Sequence, residues 1–251
     1  MRYRRIALTG PAAARAYGLD GFKDIEWPLT WCVPWGGELA GNDRTVRTRS
    51  WQPPEIVGDV PVCSLDVVVR HLNAFPVDLL NRSDGLLPID RVELAFEHAA
   101  RLGRTVRPAS GGSMPGDVML RQVLQRRGDP IPTESYAETR AVQLFRCWNL
   151  APWRQIPILD RGRISFRADF MIPFDGRRRR PEVVRPSDGV LVEIDSREFH
   201  ELEFDRDHDR GSTYDALGFH WISATPRQVE QQPIKVRRAL EGAFRRVGLP
   251  T

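Results

Sequence analysis

The sequence predicts a mixed α/β (α+β) protein: one mixed β-sheet flanked by helices in the C-terminal half, preceded by a smaller α+β domain. Three observations carry that expectation. Helical and strand periodicities in the second half follow the order α-β-β-β-α-β-α, which suits a single sheet covered by helices. The first half mixes amphipathic helices with short runs of aromatic and β-branched residues. Between the halves lies Ser110-Gly111-Gly112-Ser113-Met114-Pro115-Gly116, by composition a linker or an exposed turn. At 251 residues the chain is long enough for two cores, and we place the domains at 1–115 and 116–251.

Taken in order, Pro11 to Tyr17 reads as a short helix that Thr9 can cap and Gly18 closes. Ile25 to Ser64 breaks into short strand-like runs at Pro28, Pro34-Trp35-Gly36-Gly37 and Pro53-Pro54, as a small sheet would. Ser64 starts a helix with Leu65, Val68, Val69 and Leu72 on one face, and Asp90 starts another that ends at Gly103. A further helix covers Val118 to Arg127. The second half then offers a helix from Ser135 to Leu150 and strands at Gln155 to Leu159, Ile164 to Ile172 and Val190 to Asp195. A helix from Glu203 to Leu217, a strand from Phe219 to Ile222 and a helix from Gln228 to Val247 complete it.

Hydrophobic residues make up 41% of the chain and charged residues 28%, the proportions of an ordinary globular protein. No apolar run is long enough to span a bilayer, and Met1-Arg2-Tyr3-Arg4-Arg5 lacks the apolar core of a signal peptide. We therefore expect no membrane association and a cytoplasmic location. Cys32, Cys63 and Cys147 are odd in number and lack paired metal-ligand spacing, so free thiols are expected. His71 and His98 fall inside amphipathic helices and read as structural. The net charge of +4, carried almost wholly by arginine, permits a polyanionic partner without requiring one.

The chemistry centres on Leu191-Val192-Glu193-Ile194-Asp195. Strand alternation puts Glu193 and Asp195 on one face, where a buried pair of like charges needs a cation, most simply a divalent metal, or solvent. In the preceding strand Phe166, Ala168, Phe170 and Ile172 alternate onto one face, leaving Arg167, Asp169 and Met171 on the other. Neighbouring strands could set Asp169 beside Glu193, the minimum scaffold for Mg²⁺; the alternative is a surface aspartate paired with an arginine. Glu138 shares a helical face with Ala141, Phe145 and Trp148, which turns it towards the sheet. It also forms a capping box with Ser135, which would account for both residues without chemistry.

The order helix-Glu, strand-Asp, strand-Glu-x-Asp resembles the PD-(D/E)XK nuclease superfamily, in particular its branch similar to the very-short-patch-repair (Vsr-like) endonucleases. The likeness covers Glu134 to Ile222. It is carried by Glu134-Ser135 with Glu138-Thr139-Arg140, Arg167-Ala168-Asp169-Phe170, Val192-Glu193-Ile194-Asp195, Glu198-Phe199-His200, and then Phe204, Asp207 and Arg210. The resemblance implies a restriction-endonuclease-like fold and metal-dependent hydrolysis of DNA phosphodiester bonds with Mg²⁺ or Mn²⁺. Asp169 and Glu193, with Asp195 as a third candidate, would ligate the metal, and Glu138 would serve as an outer ligand or orienting group. This chain departs from the pattern at Asp195, where the superfamily usually has lysine, at Ser196, where glycine is usual, and at Gly211, where an aspartate is expected. Without lysine the general base must be Asp195, His200 or a metal-activated hydroxide, and His200 is the favoured side chain. Arg167, Arg197, Arg206 and Arg210 flank the carboxylates as candidate DNA contacts, and Arg177, Arg178, Arg179 and Arg180 form a loop that could grip the backbone.

The first half resembles AbiEi-type antitoxins and regulators through Leu8-Thr9-Gly10-Pro11-Ala12-Ala13 and Asp59-Val60-Pro61-Val62-Cys63-Ser64. We expect it to lack the winged helix of that group, and to serve as an accessory domain that selects DNA or contacts a protein partner. A toxin-antitoxin setting follows from the same likeness. The alternative to an endonuclease is a non-catalytic DNA-binding transcriptional regulator or antitoxin that keeps the nuclease fold.

Overall fold

The computed structural model describes residues 5–37, 44–49, 51–108, 117–128, 130–160, 162–176, 180–195 and 204–248, with backbone alone at 117 and 204–209. By its internal contacts the chain divides into two units, 1–127 and 128–251. Both combine helices with one mixed sheet.

In the N-terminal unit the elements run β1 (Ala7–Leu8), α1 (Gly10–Ala16), β2 (Thr30–Pro34), β3 (Arg44–Thr48), β4 (Glu55–Val57), β5 (Val60–Val62), α2 (Leu65–Leu72), α3 (Val77–Leu80), α4 (Pro88–Arg101) and α5 (Asp117–Arg127). The sheet has the order β3-β2-β1-β5-β4, so its centre is β1, a two-residue strand whose brevity hides it from any periodicity argument. β1 runs antiparallel to β2 and parallel to β5. Thr9 occupies the N-cap of α1 as expected, but its side chain makes no capping hydrogen bond and turns instead to His71, Oγ1 to Nδ1 2.7 Å.

The unit boundary falls after Arg127 rather than near residue 115, which makes the two units nearly equal in length instead of leaving a smaller N-terminal one. The reason lies in α5. Leu120 and Val123 are fully buried in the N-terminal core. Arg126 pairs with Asp90 at 2.5 Å, and Arg127 with the buried Glu97 at 2.9 Å. A helix held by both apolar burial and charge-assisted hydrogen bonds belongs to the body it packs on.

The C-terminal unit contains α6 (Tyr136–Cys147), β6 (Trp153–Asp160), β7 (Arg163–Pro173), β8 (Gly189–Ile194), α7 (Phe204–Ala216), β9 (His220–Ala224), α8 (Pro226–Gln231) and α9 (Pro233–Arg246). The sheet order is β6-β7-β8-β9. The first three strands are antiparallel, and β9 lies parallel to β8 after a crossover that carries α7. The single C-terminal helix expected from Gln228 to Val247 is two helices, because Pro233 cannot donate the amide that would continue α8. On one face of the sheet α6 and α9 bury Ala141, Phe145, Val236 and Leu240 against Phe170, Val190, Val192 and Ile222. On the other, Tyr214 of α7 packs with Ile156, Ile158, Ala168, Met171 and Leu191.

β7 does not keep the single apolar face that its sequence suggests. Phe166 and Ala168 join the Tyr214 core, with the Phe166 and Tyr214 rings edge-on at 5.0 Å. Phe170 and Ile172 join the α6 core, with Phe170 against Phe145 at 5.7 Å. Alternation therefore inverts around Asp169. Across on β6, Gln155 lies between the paired residues Arg154↔Phe170 and Ile156↔Ala168 and holds the left-handed conformation at φ 49°. Left-handed backbone in a non-glycine residue is costly in a strand and collects at functional positions.

Candidate active site

α6 begins at Ser135, whose hydroxyl accepts the Glu138 amide at 3.1 Å, so the first half of the expected capping box is present. The Glu138 carboxylate reaches back past the N-cap to Glu134 and across to β6. Its Oε2 accepts the Glu134 amide at 2.8 Å and the Gln155 side-chain amide at 3.1 Å. Glu138 is 5% exposed. Burial, with the Asp169 charge next, pushes its carboxyl up to about 7.

Asp169 and Glu193 meet where the β7–β8 ladder ends. The last backbone pair is Phe170↔Val192, and one residue further Asp169 Oδ2 takes the Ile194 amide at 2.7 Å in place of a strand carbonyl. The two carboxyl groups lie close enough to shift each other's proton affinity. Burial first, and Glu193 second, push Asp169 up to about 8. Burial also raises Glu193, against the pull of the Tyr214 hydroxyl, which donates to its Oε1, and of Arg210. The Tyr214 hydroxyl is itself pushed upward by burial and by Glu193. Arg210, exposed on α7, lowers both carboxyls. Three elements thus deliver three partly or fully buried carboxyl groups, and the pair of Asp169 and Glu193 must share a proton or a cation near neutral pH. Hard oxygen donors of this kind fit Mg²⁺ or Mn²⁺, with Asp169 and Glu193 as the residues that would hold it.

Asp195 follows β8, partly buried, with its amide donating to Ala224 at 2.9 Å. Arg167 is exposed on β7. Arg180 donates to the carbonyls of Arg154 at 3.0 Å and Gln155 at 3.3 Å, so it secures the β6 backbone beside the site. Arg177, Arg178, Arg179, Arg197 and His200 lie outside the described residues, and Arg206 falls in the part of α7 whose side chains are not described. Sequence reasoning missed Tyr214 and Gln155. Tyr214 could have been found, since it lies one helical turn from Arg210 on the same face; the left-handed Gln155 leaves no trace in composition.

The Gly211 departure has a steric explanation. A Cβ there would meet Trp221 Cζ2 at 2.8 Å, so the indole fills the space an aspartate would need. His98 pairs with the buried Asp20 at 3.2 Å, the structural role expected of it. No helix among the described residues is long and apolar enough to cross a membrane. The chain matches no family model, no curated protein and no solved structure.

Proposed function

We propose that the C-terminal unit is a metal-dependent DNA endonuclease of the PD-(D/E)XK type that hydrolyses phosphodiester bonds. The observation that carries this reading is the convergence of Glu138, Asp169 and Glu193 from α6, β7 and β8 on one site, where burial raises all three carboxyls and a neighbouring acid raises Glu138 and Asp169 further. Such clusters are costly to fold and mark functional sites. Mg²⁺ bound by Asp169 and Glu193 would polarise the scissile phosphate and acidify a bound water. Tyr214 orients the Glu193 carboxylate through its hydroxyl, and exposed Arg210 and Arg167 offer guanidinium groups to the DNA backbone. Glu138, poised near 7, is suited among the described residues to accept the proton of the attacking water.

Asp195 in place of lysine favours the second reading, a DNA-binding regulator that keeps the fold without turnover. Nicking of supercoiled plasmid with Mg²⁺ or Mn²⁺, compared between wild type and Glu193→Ala, separates the two. The endonuclease reading expects metal-dependent nicking that falls to background in the variant while DNA binding persists. DNA binding without cleavage under either metal would establish the regulator instead.

A further inference from the structure

Far from the carboxylates in sequence, the N-terminal unit gathers a second set of metal-binding side chains. Cys32 on β2 lies opposite Ala7 of β1, and Cys63 follows β5 with its amide bonded to the Leu8 carbonyl at 2.9 Å. His71 comes from the last turn of α2, above them. Donor atoms of these three residues all lie within 4.8 Å of one another. Both cysteines are buried free thiols. The Thr9 hydroxyl is hydrogen-bonded to His71 Nδ1 at 2.7 Å, so it orients the imidazole from behind.

A second observation points to a ligand. Thr30, 1% exposed on the same strand as Cys32, has a hydroxyl with no hydrogen-bond partner among the described residues. Thr30 and His71 both line a cavity of about 430 Å³, which gives an ion a path to the cluster. An orphaned buried hydroxyl is rare unless something polar is to meet it.

We propose that Cys32, Cys63 and His71 form a Zn²⁺ site, with a fourth position open towards the cavity. Two thiols and an imidazole are the donor set of a borderline-soft ion, unlike the hard carboxylates of the other unit. Zinc bond lengths place tetrahedral donors about 3.5–3.8 Å apart, so the cluster needs to contract by about 1 Å at most. Binding forms two sulfur–zinc bonds and releases two thiol protons to solvent, with no change of oxidation state.

The test is titration of the reduced, metal-stripped full chain with Co²⁺ and then Zn²⁺. The expected result is a thiolate-to-cobalt charge-transfer band that saturates at one ion per chain and is displaced by Zn²⁺. It should vanish in Cys32→Ser and Cys63→Ser and persist in Cys147→Ser, whose cysteine is exposed in the other unit. Ions at the carboxylates give no such band, so the readout does not depend on the nuclease reading. Thr9→Val, which keeps all three ligands, should weaken Zn²⁺ binding about tenfold. No band in the wild type, a band that survives Cys32→Ser, or a Cys32–Cys63 disulfide in the protein purified without reductant would overturn the proposal.

Discussion

Replacing Glu138 by glutamine should make the metal-free protein more stable at alkaline pH. The carboxyl is moved from an ordinary 4.5 to about 7, which corresponds to about 3 kcal/mol at about 1.4 kcal/mol per pH unit. Because the folded-state value is raised, the folded form holds the proton more tightly. The penalty is absent below about pH 4.5, grows as pH rises, and is complete above about pH 7. Glutamine keeps an acceptor oxygen for the Glu134 amide and the Gln155 side chain, and removes the charge that repels Asp169. Scanning calorimetry in EDTA at pH 5 and pH 8.5 is the assay. The transition of the C-terminal unit is identified by its response to Leu240→Ala, a core residue of that unit. The variant should gain about 10 °C over wild type at the higher pH and little at the lower. A gain independent of pH, or a loss at pH 8.5, would refute the view that Glu138 is held charged against burial and Asp169.

Three further outcomes follow from the same geometry. Tyr214→Phe removes the donor to Glu193 and should cost about 2 kcal/mol at pH 8, less at pH 5, by urea unfolding; it should also move the acid limb of any nicking profile to higher pH, since the bond holds Glu193 down. Arg210→Gln should raise the same limb and reduce the salt slope of DNA binding by about 1, measured by fluorescence anisotropy. Gly211→Asp should destabilise the unit by about 1–3 kcal/mol through its clash with Trp221, and Trp221→Leu should restore part of the loss in a thermal melt.

The layered architecture was legible because α6, β8 and α9 carry clear periodicities, and Glu138, Asp169 and Glu193 could be named from their places in it. What sequence could not carry was the behaviour of short or irregular backbone. β1 is too brief to show a period, yet it centres a sheet and sets Cys32 and Cys63 on either side of itself. The left-handed Gln155 switches the faces of β6 and β7, so an alternation count across Asp169 fails on both sides of that point. Cys32, Cys63 and His71 are separated in sequence by spacings of no known metal motif, and only the pairing of three strands under α2 brings them together.

The inversion at Gln155 and Asp169 also settles where a charge can live in a sheet covered on both sides. Had β7 alternated without interruption, Asp169 would have belonged to one apolar layer or the other and opened a wet hole in it. With the strand turned over at that point, the layers exchange partners around a narrow polar seam, and each closes on its own side of the carboxylate. A single residue that restored regular β geometry at position 155 would push the acid into oil, so substitutions there should be limited less by size than by the handedness of the backbone they accept.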